Sequence, residues 1–276
     1  MKCLFVFNPF ARRGLGNKEI ELIKKRFQGN DIEFYQTHGQ GSITKYVKEN
    51  GDSFDLIVAV GGDGTIHEMV CGVLSLDKKP IVGVLPRGTM NDVSKELGYS
   101  TNINKSIDIL LKGNTKLKNA YSINDTFFFY GLAIGRYANV SYETVNKKQF
   151  GKLTYYFSCI KNYFTSKPIS IKLDNKEVKI SQLFILDTKY LAGYKMDKVL
   201  DDKLHIKYIE AKNRFIDTIK FAKFLFSHGK KSVKELIVDS ITIEGDNISF
   251  TLDGEMYLAN KALVKPLSEQ IRIICK

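Results

Sequence analysis

The sequence predicts two domains: an α/β domain built on a parallel sheet, and a second, β-rich domain of antiparallel, sandwich-like character. The first 113 residues alternate short apolar runs with segments of helical spacing, and repeated βα units form parallel sheets with helices on both faces. From about residue 118 onwards strand-like segments dominate. A chain of 276 residues, 43% hydrophobic and 26% charged, is long and apolar enough to fold in this way.

The elements of the first domain follow from the spacing of its apolar residues. Short apolar runs that end in turns predict strands at residues 2–7, 31–36, 54–60 and 81–85. Apolar residues that recur every three or four positions predict helices at residues 17–27, 42–49, 65–74, 91–97 and 102–112. The run 54–60 is almost continuously apolar, which is typical of a strand buried on both faces.

The second half has a different period. Its apolar runs predict strands at residues 127–134, 169–173, 178–186, 205–209, 236–243, 248–252 and 261–264. One helix is predicted at residues 215–226. The change of period gives an α/β domain of residues 1–120 and a β-rich domain of residues 121–264. Residues 265–276 are a candidate to return to the first domain.

Composition excludes several classes of protein. The net charge of +12 indicates an anionic partner, such as nucleic acid, a membrane surface or a phosphorylated ligand. The absence of an RNP motif, zinc finger or basic zipper disfavours nucleic acid. Cysteines without CxxC spacing and histidines without an HExxH pattern disfavour zinc. The apolar stretch 127–135 is far shorter than the ~18 residues of a membrane span, and the N-terminal apolar run is too short for a secretory signal, so a cytoplasmic location is expected.

Three glycines surround one acid in Gly61-Gly62-Asp63-Gly64-Thr65, between a predicted strand and a predicted helix. Ligands of open parallel sheets bind at the carboxyl ends of strands. Glycine lets the backbone approach a ligand closely, and the beginning of a helix offers N–H groups to phosphate. Asp63 would repel phosphate, so it suits a role in binding Mg²⁺, directly or through water, or in orienting a donor. A turn with a purely structural role needs fewer glycines, so the sequence favours a functional role for this turn.

Two further turns follow predicted strands. Residues 86–92 include Thr89 and Asn91, which suit either a nucleotide contact or a helix cap. Residues 8–14 include Arg12 in a pair of arginines, which either bind phosphates or are solvated on the surface.

Two acidic turns stand out in the second half. Glu255 follows Asp253-Gly254 and is a candidate general base for a hydroxyl nucleophile. Alone, an Asp-Gly hairpin followed by a solvated Glu would be the favoured explanation. Asp201 and Asp202 are adjacent in a predicted loop, where they either hold a cation or face solvent.

Together these motifs resemble the diacylglycerol kinase catalytic family. Asn8-Pro9, GGDGT at residues 61–65, GTxND at residues 88–92 and DGE at residues 253–255 occur in the order and at separations that resemble that family. The resemblance spans almost the whole chain and is closest to the soluble bacterial branch, which is related to sphingosine kinases. GGDGT alone is shared with NAD kinases and phosphofructokinases, whereas its combination with GTxND and a distant DGE is much more specific.

The resemblance implies that ATP binds in a cleft between the two domains. The nucleotide contacts of the family fall on Asn8, Pro9, Phe10, Ala11, Arg12, Thr37, Gly62, Asp63, Gly64, Thr65, Ile66, His67, Glu68 and Thr89. Glu255 corresponds to the proposed general base, and Asp63 is the second catalytic candidate. A Mg²⁺ site falls on Asp202 and on the backbone carbonyls of Val199 and Lys203. The sequence departs from the family pattern at Arg12, where a small residue is usual, at Lys203, where Gly is usual, and at Asn119, where Asp is frequent.

These interpretations predict an ATP- and Mg²⁺-dependent lipid kinase of phospholipid metabolism. It is expected to phosphorylate the hydroxyl group of a membrane lipid such as diacylglycerol, as a cytoplasmic protein bound peripherally to the anionic inner surface of the membrane. Lysines interspersed with aromatic residues between residues 147 and 167 are the expected membrane contact. One alternative is a kinase of a soluble substrate, similar to NAD kinase. The other is a non-catalytic regulator that binds lipid or nucleotide. The lipid head group and the oligomeric state, including a homo-oligomer, stay open.

Overall fold

The computed structural model divides the chain into two compact units. It describes residues 1–9, 14–136, 167–198 and 201–276. The first unit comprises Met1–Lys118 and Glu269–Lys276, and the second comprises Asn119–Ser268. None of the helices in the described ranges is long and apolar enough to cross a membrane.

Strands and helices alternate at the beginning of the first unit. The strands are β1 (Lys2–Phe7), β2 (Asp31–Gln36), β3 (Leu56–Gly61), β4 (Ile81–Pro86) and β5 (Thr115–Lys118). The helices are α1 (Asn17–Arg26), α2 (Ser42–Asn50), α3 (Asp63–Leu74), α4 (Asp92–Glu96) and α5 (Ile103–Lys112). Strands β1 to β4 pair in parallel. Every residue of β3 is buried, as expected for a central parallel strand.

The second unit is dominated by antiparallel strands. In chain order they are β6 (Tyr121–Ile123), β7 (Thr126–Phe128), β8 (Gly131–Gly135), β9 (Ile169–Leu173), β10 (Lys176–Leu186), β11 (Tyr190–Leu191), β12 (Tyr194–Lys195), β13 (Leu204–Glu210), β14 (Lys234–Val238), β15 (Ile241–Leu252) and β16 (Glu255–Pro266). Within the described residues β11 and β12 form a separate hairpin. The other strands form one sheet in the order β14-β13-β10-β8-β15-β16-β6-β7, with β9 beside both β10 and β15. Helix α6 (Arg214–Phe226) packs on this unit.

The last strand, β17 (Ile271–Ile274), belongs to the first unit. It pairs in parallel with β4 and antiparallel with β5, which gives a six-stranded sheet of order β2-β1-β3-β4-β17-β5. The predicted fold class, an α/β part with a parallel sheet and a β-rich antiparallel part, is confirmed.

Two strand predictions are wrong in their extent. The predicted strand 127–134 is divided into β7 and β8, because the carboxylate of Asp253 accepts the N–H groups of Phe129 and Tyr130 and holds a turn there. The predicted strand 236–243 is also two strands, since β14 pairs with β13 whereas β15 pairs with β16.

Candidate functional site

Four turns of the first unit begin at the same edge of its sheet. Phe7, the last residue of β1, pairs with Gln36 of β2 and Val60 of β3, and Gly61 pairs with Pro86 of β4. This edge contains the carboxyl ends of parallel strands, where ligands of open α/β sheets bind. The turns after these strands, together with the first two residues of α3, contain the predicted site residues Asn8, Pro9, Thr37, Gly62, Asp63, Gly64 and Thr89.

Gly62 and Gly88 bring the turns after β3 and β4 into backbone contact. A Cβ atom on Gly62 would lie 3.1 Å from the Cα atom of Gly88, and a Cβ atom on Gly88 would collide with the Cα atom of Gly62. The N–H of Arg87 donates to the carbonyl of Gly61 at 2.7 Å. Side chains at either glycine would force the turns apart, so the sequence requires glycine at both positions.

The carboxylate of Asp63 links α4 to the turn after β3. Its Oδ2 and Oδ1 accept the N–H groups of Asp92 and Val93, both at 3.2 Å. These N–H groups lie at the beginning of α4, where an α-helix provides no partner of its own. Loss of hydration, followed by repulsion from Asp92, raises the pKa of Asp63 to about 6, against the opposing effects of the two N–H groups and Lys95. Both carboxylate oxygens of Asp63 accept backbone N–H groups. This arrangement fits a role in orienting donors better than direct binding of a metal ion.

Asn91 closes the turn after β4. Its side-chain Oδ1 accepts the N–H of Gly88 and its Nδ2 donates to the carbonyl of Gly88, both at 2.9 Å. Asn91 is buried and has a φ of 52°, a left-handed conformation that asparagine tolerates better than most residues. The half-buried Thr89 lies within the closed turn.

Thr37 is held in the loop after β2. Its hydroxyl donates to the carbonyl of Gly39 at 2.8 Å and lies 2.6 Å from the hydroxyl of Ser42. Its N–H donates to the carbonyl of Phe7. The loop therefore stays beside the end of β1.

The later part of the predicted nucleotide segment lies inside the first unit. Thr65 and Ile66 are buried, and His67 is buried with its Nε2 atom 3.6 Å from the sulfur of Cys71. The Oε2 atom of Glu68 accepts the N–H of Ile43, near the beginning of α2. Backbone N–H groups at the beginning of α3 thus face the edge, while side chains at positions 65–68 support the helix. Outside the described residues lie the predicted site residues Phe10, Ala11, Arg12 and Val199.

Arg87 is a charged residue of this edge that the sequence motifs alone do not single out as a site residue. It follows β4, and only 8% of its surface is exposed. Its Nη2 atom lies 3.3 Å from the Oε1 atom of Glu19, and the described residues give this nitrogen no hydrogen bond. Burying a charge is costly unless it is paired and hydrogen-bonded, so an anionic ligand would stabilise this arrangement. The sequence signal was an arginine between a buried strand and Gly88.

Glu255 lies in the second unit, at the beginning of β16. The residues before it, Asp253 and Gly254, form a two-residue hairpin turn with φ values of 51° and 99°, as Asp-Gly favours. The buried carboxylate of Asp253 accepts three consecutive N–H groups, those of residues 129–131, at 2.8 to 2.9 Å. The half-buried Glu255 is therefore attached to a turn fixed by a neighbouring loop.

The predicted Mg²⁺ site is described only in part, because Val199 lies outside the described residues. Asp202 and Lys203 are exposed. The neighbouring Asp201 contacts Nε2 of His205 at 2.8 Å, and this hydrogen bond lowers the pKa of Asp201. Asn119 supplies a neutral amide that hydrogen-bonds Tyr121. Mg²⁺ prefers carboxylate and water oxygens. Among the described residues no group of three His, Cys, Asp or Glu lies close enough together to hold a metal ion.

Comparison with known proteins identifies the family. A family model of the diacylglycerol kinase catalytic domain matches residues 2–122. Diacylglycerol kinases of Staphylococcus epidermidis and Staphylococcus carnosus are each 30% identical over 209 residues, which are 71% of this chain and 66% and 68% of those relatives. A crystal structure of a diacylglycerol kinase from Bacillus anthracis is similar with a TM-score of 0.77 and 25% identity, covering 100% of this chain and 97% of that one. This chain therefore belongs to the diacylglycerol kinase catalytic domain family.

Proposed function

We propose that this protein is an ATP-dependent lipid kinase that transfers the γ-phosphate of ATP to the hydroxyl group of a membrane lipid such as diacylglycerol. The observation that carries the proposal is the contact of Gly62 with Gly88 beside the beginning of α3. Backbone N–H groups and the positive end of a helix dipole at such a point suit the phosphates of a nucleotide. Membership of the family, whose relatives carry the name diacylglycerol kinase, supports a kinase.

The residues of the first unit would position the phosphates and neutralise their charge. Phosphoryl transfer gains most from these two effects. Mg²⁺ enters with ATP as part of the substrate and neutralises phosphate charge. The guanidinium of Arg87 would exchange part of its contact with Glu19 for phosphate oxygens. Asp63 would keep the two glycine turns together through the N–H of Asp92.

Glu255 is the proposed general base of the second unit. Its carboxylate would accept the proton of the lipid hydroxyl during attack on the γ-phosphorus. Because an alcohol has a high pKa, the base contributes most late in the transfer. The hairpin fixed by Asp253 would hold Glu255 in a defined place.

The proposal includes peripheral binding of a cytoplasmic protein to the anionic inner surface of the membrane. The net charge of +12 supports it. The segment predicted as the contact lies outside the described residues, apart from Lys167.

The experiment is a transfer assay with radiolabelled ATP and a panel of acceptors in mixed micelles. The panel contains diacylglycerol, phosphatidylglycerol, a polyprenol, a long-chain base and, as a soluble competitor, NAD. We expect Mg²⁺-dependent labelling of one lipid, and its loss in Gly88→Val, which forces the two turns apart. Labelling of NAD alone would instead assign a soluble substrate. Binding of ATP and lipid without transfer to any acceptor would assign a regulator.

A further inference from the structure

Helix α6 exposes an apolar stripe although it is packed on the second unit. Phe215 and Phe226 are 74% and 76% exposed, and Ile219 between them is 39% exposed. Their spacing of four and seven positions puts them along one side of the helix. We call these three residues the α6 stripe. Large apolar side chains exposed together mark an interaction site more often than isolated ones do.

The opposite side of α6 fixes the orientation of the stripe. Phe224 is fully buried, and its ring stacks on that of Phe184 in β10 with centroids 5.0 Å apart. At the beginning of the helix, the side chain of Asn213 accepts the N–H of Ile216 at 2.9 Å. The stripe is therefore presented by a capped helix with a packed inner side.

Most charges on and beside the helix are positive, although the carboxylate of Glu210 interacts electrostatically with Lys220. The only acid within α6 is Asp217, which is fully buried with its Oδ2 atom 3.7 Å from Nη2 of Arg136. One basic neighbour is ion-paired, since Lys230 contacts Asp197 at 3.0 Å. The basic residues on and beside the helix are Lys212, Arg214, Lys220, Lys223, Lys230 and Lys231.

We infer that α6 docks the second unit on an anionic lipid bilayer, with the α6 stripe among the head groups and the basic residues at the lipid phosphates. A helix with an apolar side and flanking lysines lies in the plane of a membrane interface, and anionic lipid attracts each basic residue. A second copy of the chain would bring the same positive charges against these, so charge favours lipid over self-association. The inference rests on the proposed function in one respect, that the substrate is a membrane lipid.

The test measures vesicle binding without ATP, so it does not depend on catalysis. The full chain is floated with phosphatidylcholine vesicles, with and without phosphatidylglycerol, at rising salt. Binding is expected to need the anionic lipid and to weaken with salt. The double variant Phe215→Ser/Phe226→Ser is expected to lose about tenfold or more in affinity, and Lys220→Glu/Lys223→Glu to lose the preference for anionic lipid. The matched control Leu117→Ser/Leu258→Ser removes two leucines that are 59% and 60% exposed and is expected to bind as the wild type does.

Two results would overturn the inference. One is vesicle binding by Phe215→Ser/Phe226→Ser that equals that of the wild type. The other is conversion of a dimer to a monomer by this variant in light scattering, with vesicle binding unchanged, which would assign the stripe to a second copy. Activity on a short-chain, monomeric diacylglycerol separates docking from catalysis, because the docking variants are expected to keep it. A wild type that binds anionic vesicles but phosphorylates no lipid would contradict the proposed function and leave the docking result standing.

Discussion

The carboxylate of Asp63 accepts a hydrogen bond from the backbone N–H of Asp92 at 3.2 Å. An acid at the end of one buried strand thereby positions the helix that follows the neighbouring strand. Gly62 and Gly88 are in contact beside this bond, so a displacement of one turn would also displace the other. The shape of the proposed phosphate site depends on Asp63 through these backbone contacts.

Asp63→Asn is expected to reduce turnover by orders of magnitude. The new amide group would point an N–H₂ donor at one of two backbone donors, which costs about 1–3 kcal/mol of unfolding free energy. Steady-state kinetics and urea unfolding measure both effects. The control is Asp77→Asn, at an exposed position of the same unit. A variant with the turnover of the wild type would refute the role given to this carboxylate.

The stability of the protein is expected to depend on pH through Asp63. Burial raises the pKa of this group from 3.8 to about 6 in the folded state, so the folded protein binds the proton more tightly than the unfolded chain. The resulting stabilisation is complete below about pH 4 and is lost as the pH rises through about 6. The Tm of the wild type minus that of Asp63→Asn should therefore fall across this interval. A difference that does not change with pH would contradict the shift.

Arg87→Gln is expected to raise the KM for ATP by about ten- to a hundredfold. A change of this size corresponds to the loss of one charge-assisted hydrogen bond to phosphate. Glu19→Gln frees the guanidinium from its ion pair and should leave this KM unchanged or lower it. The control is Arg26→Gln, since Arg26 pairs with Asp108 on the surface. If Arg87→Gln keeps the KM of the wild type, Arg87 does not contact phosphate.

Glu255→Gln is expected to lower kcat more than it raises the KM for ATP, because a general base acts in the transition state. Glu244→Gln is the matched control, since Glu244 lies on the preceding strand in an ion pair with Lys261. Kinetics with ATP and the identified lipid measure the effect. A change confined to the KM for ATP would point to nucleotide binding instead.

Asp253→Ala is expected to lower the unfolding free energy by about 3–5 kcal/mol, because three buried N–H groups lose their acceptor. Asp253→Asn should cost less, since asparagine tolerates the positive φ and keeps one acceptor oxygen. Denaturant unfolding measures both variants. The exposed Asp125→Ala serves as control, and equal midpoints for Asp253→Ala and Asp125→Ala would contradict the assignment.

Local pattern was sufficient to predict the fold class because burial leaves a local signature. The continuous apolar run of β3 and the glycine turn after it can be identified without knowledge of their partners. The break between β7 and β8 has no such signature, because it depends on Asp253, which is 124 residues away from Phe129.

The same limit applies to single side chains of the candidate site. An acid among glycines suits either binding of Mg²⁺ or the orientation of a donor, and only the folded chain reveals the N–H groups of Asp92 and Val93 as the donors of Asp63. The resemblance places Glu68 at the nucleotide, and the folded chain adds that its carboxylate accepts the N–H of Ile43. Sequence position identifies the edge of the sheet, but it does not say which way each side chain on α3 points.

The position of β17 between β4 and β5 has a consequence for biosynthesis. Ribosomes release β4 and β5 before the whole second unit, and β17 after it. Until residue 274 has emerged, the neighbouring sides of β4 and β5 have no strand to pair with, and such edges attract other chains. The second unit, by contrast, is contiguous in sequence and can fold as soon as it is made. The six-stranded sheet of the first unit is thus completed only after the second unit has been made.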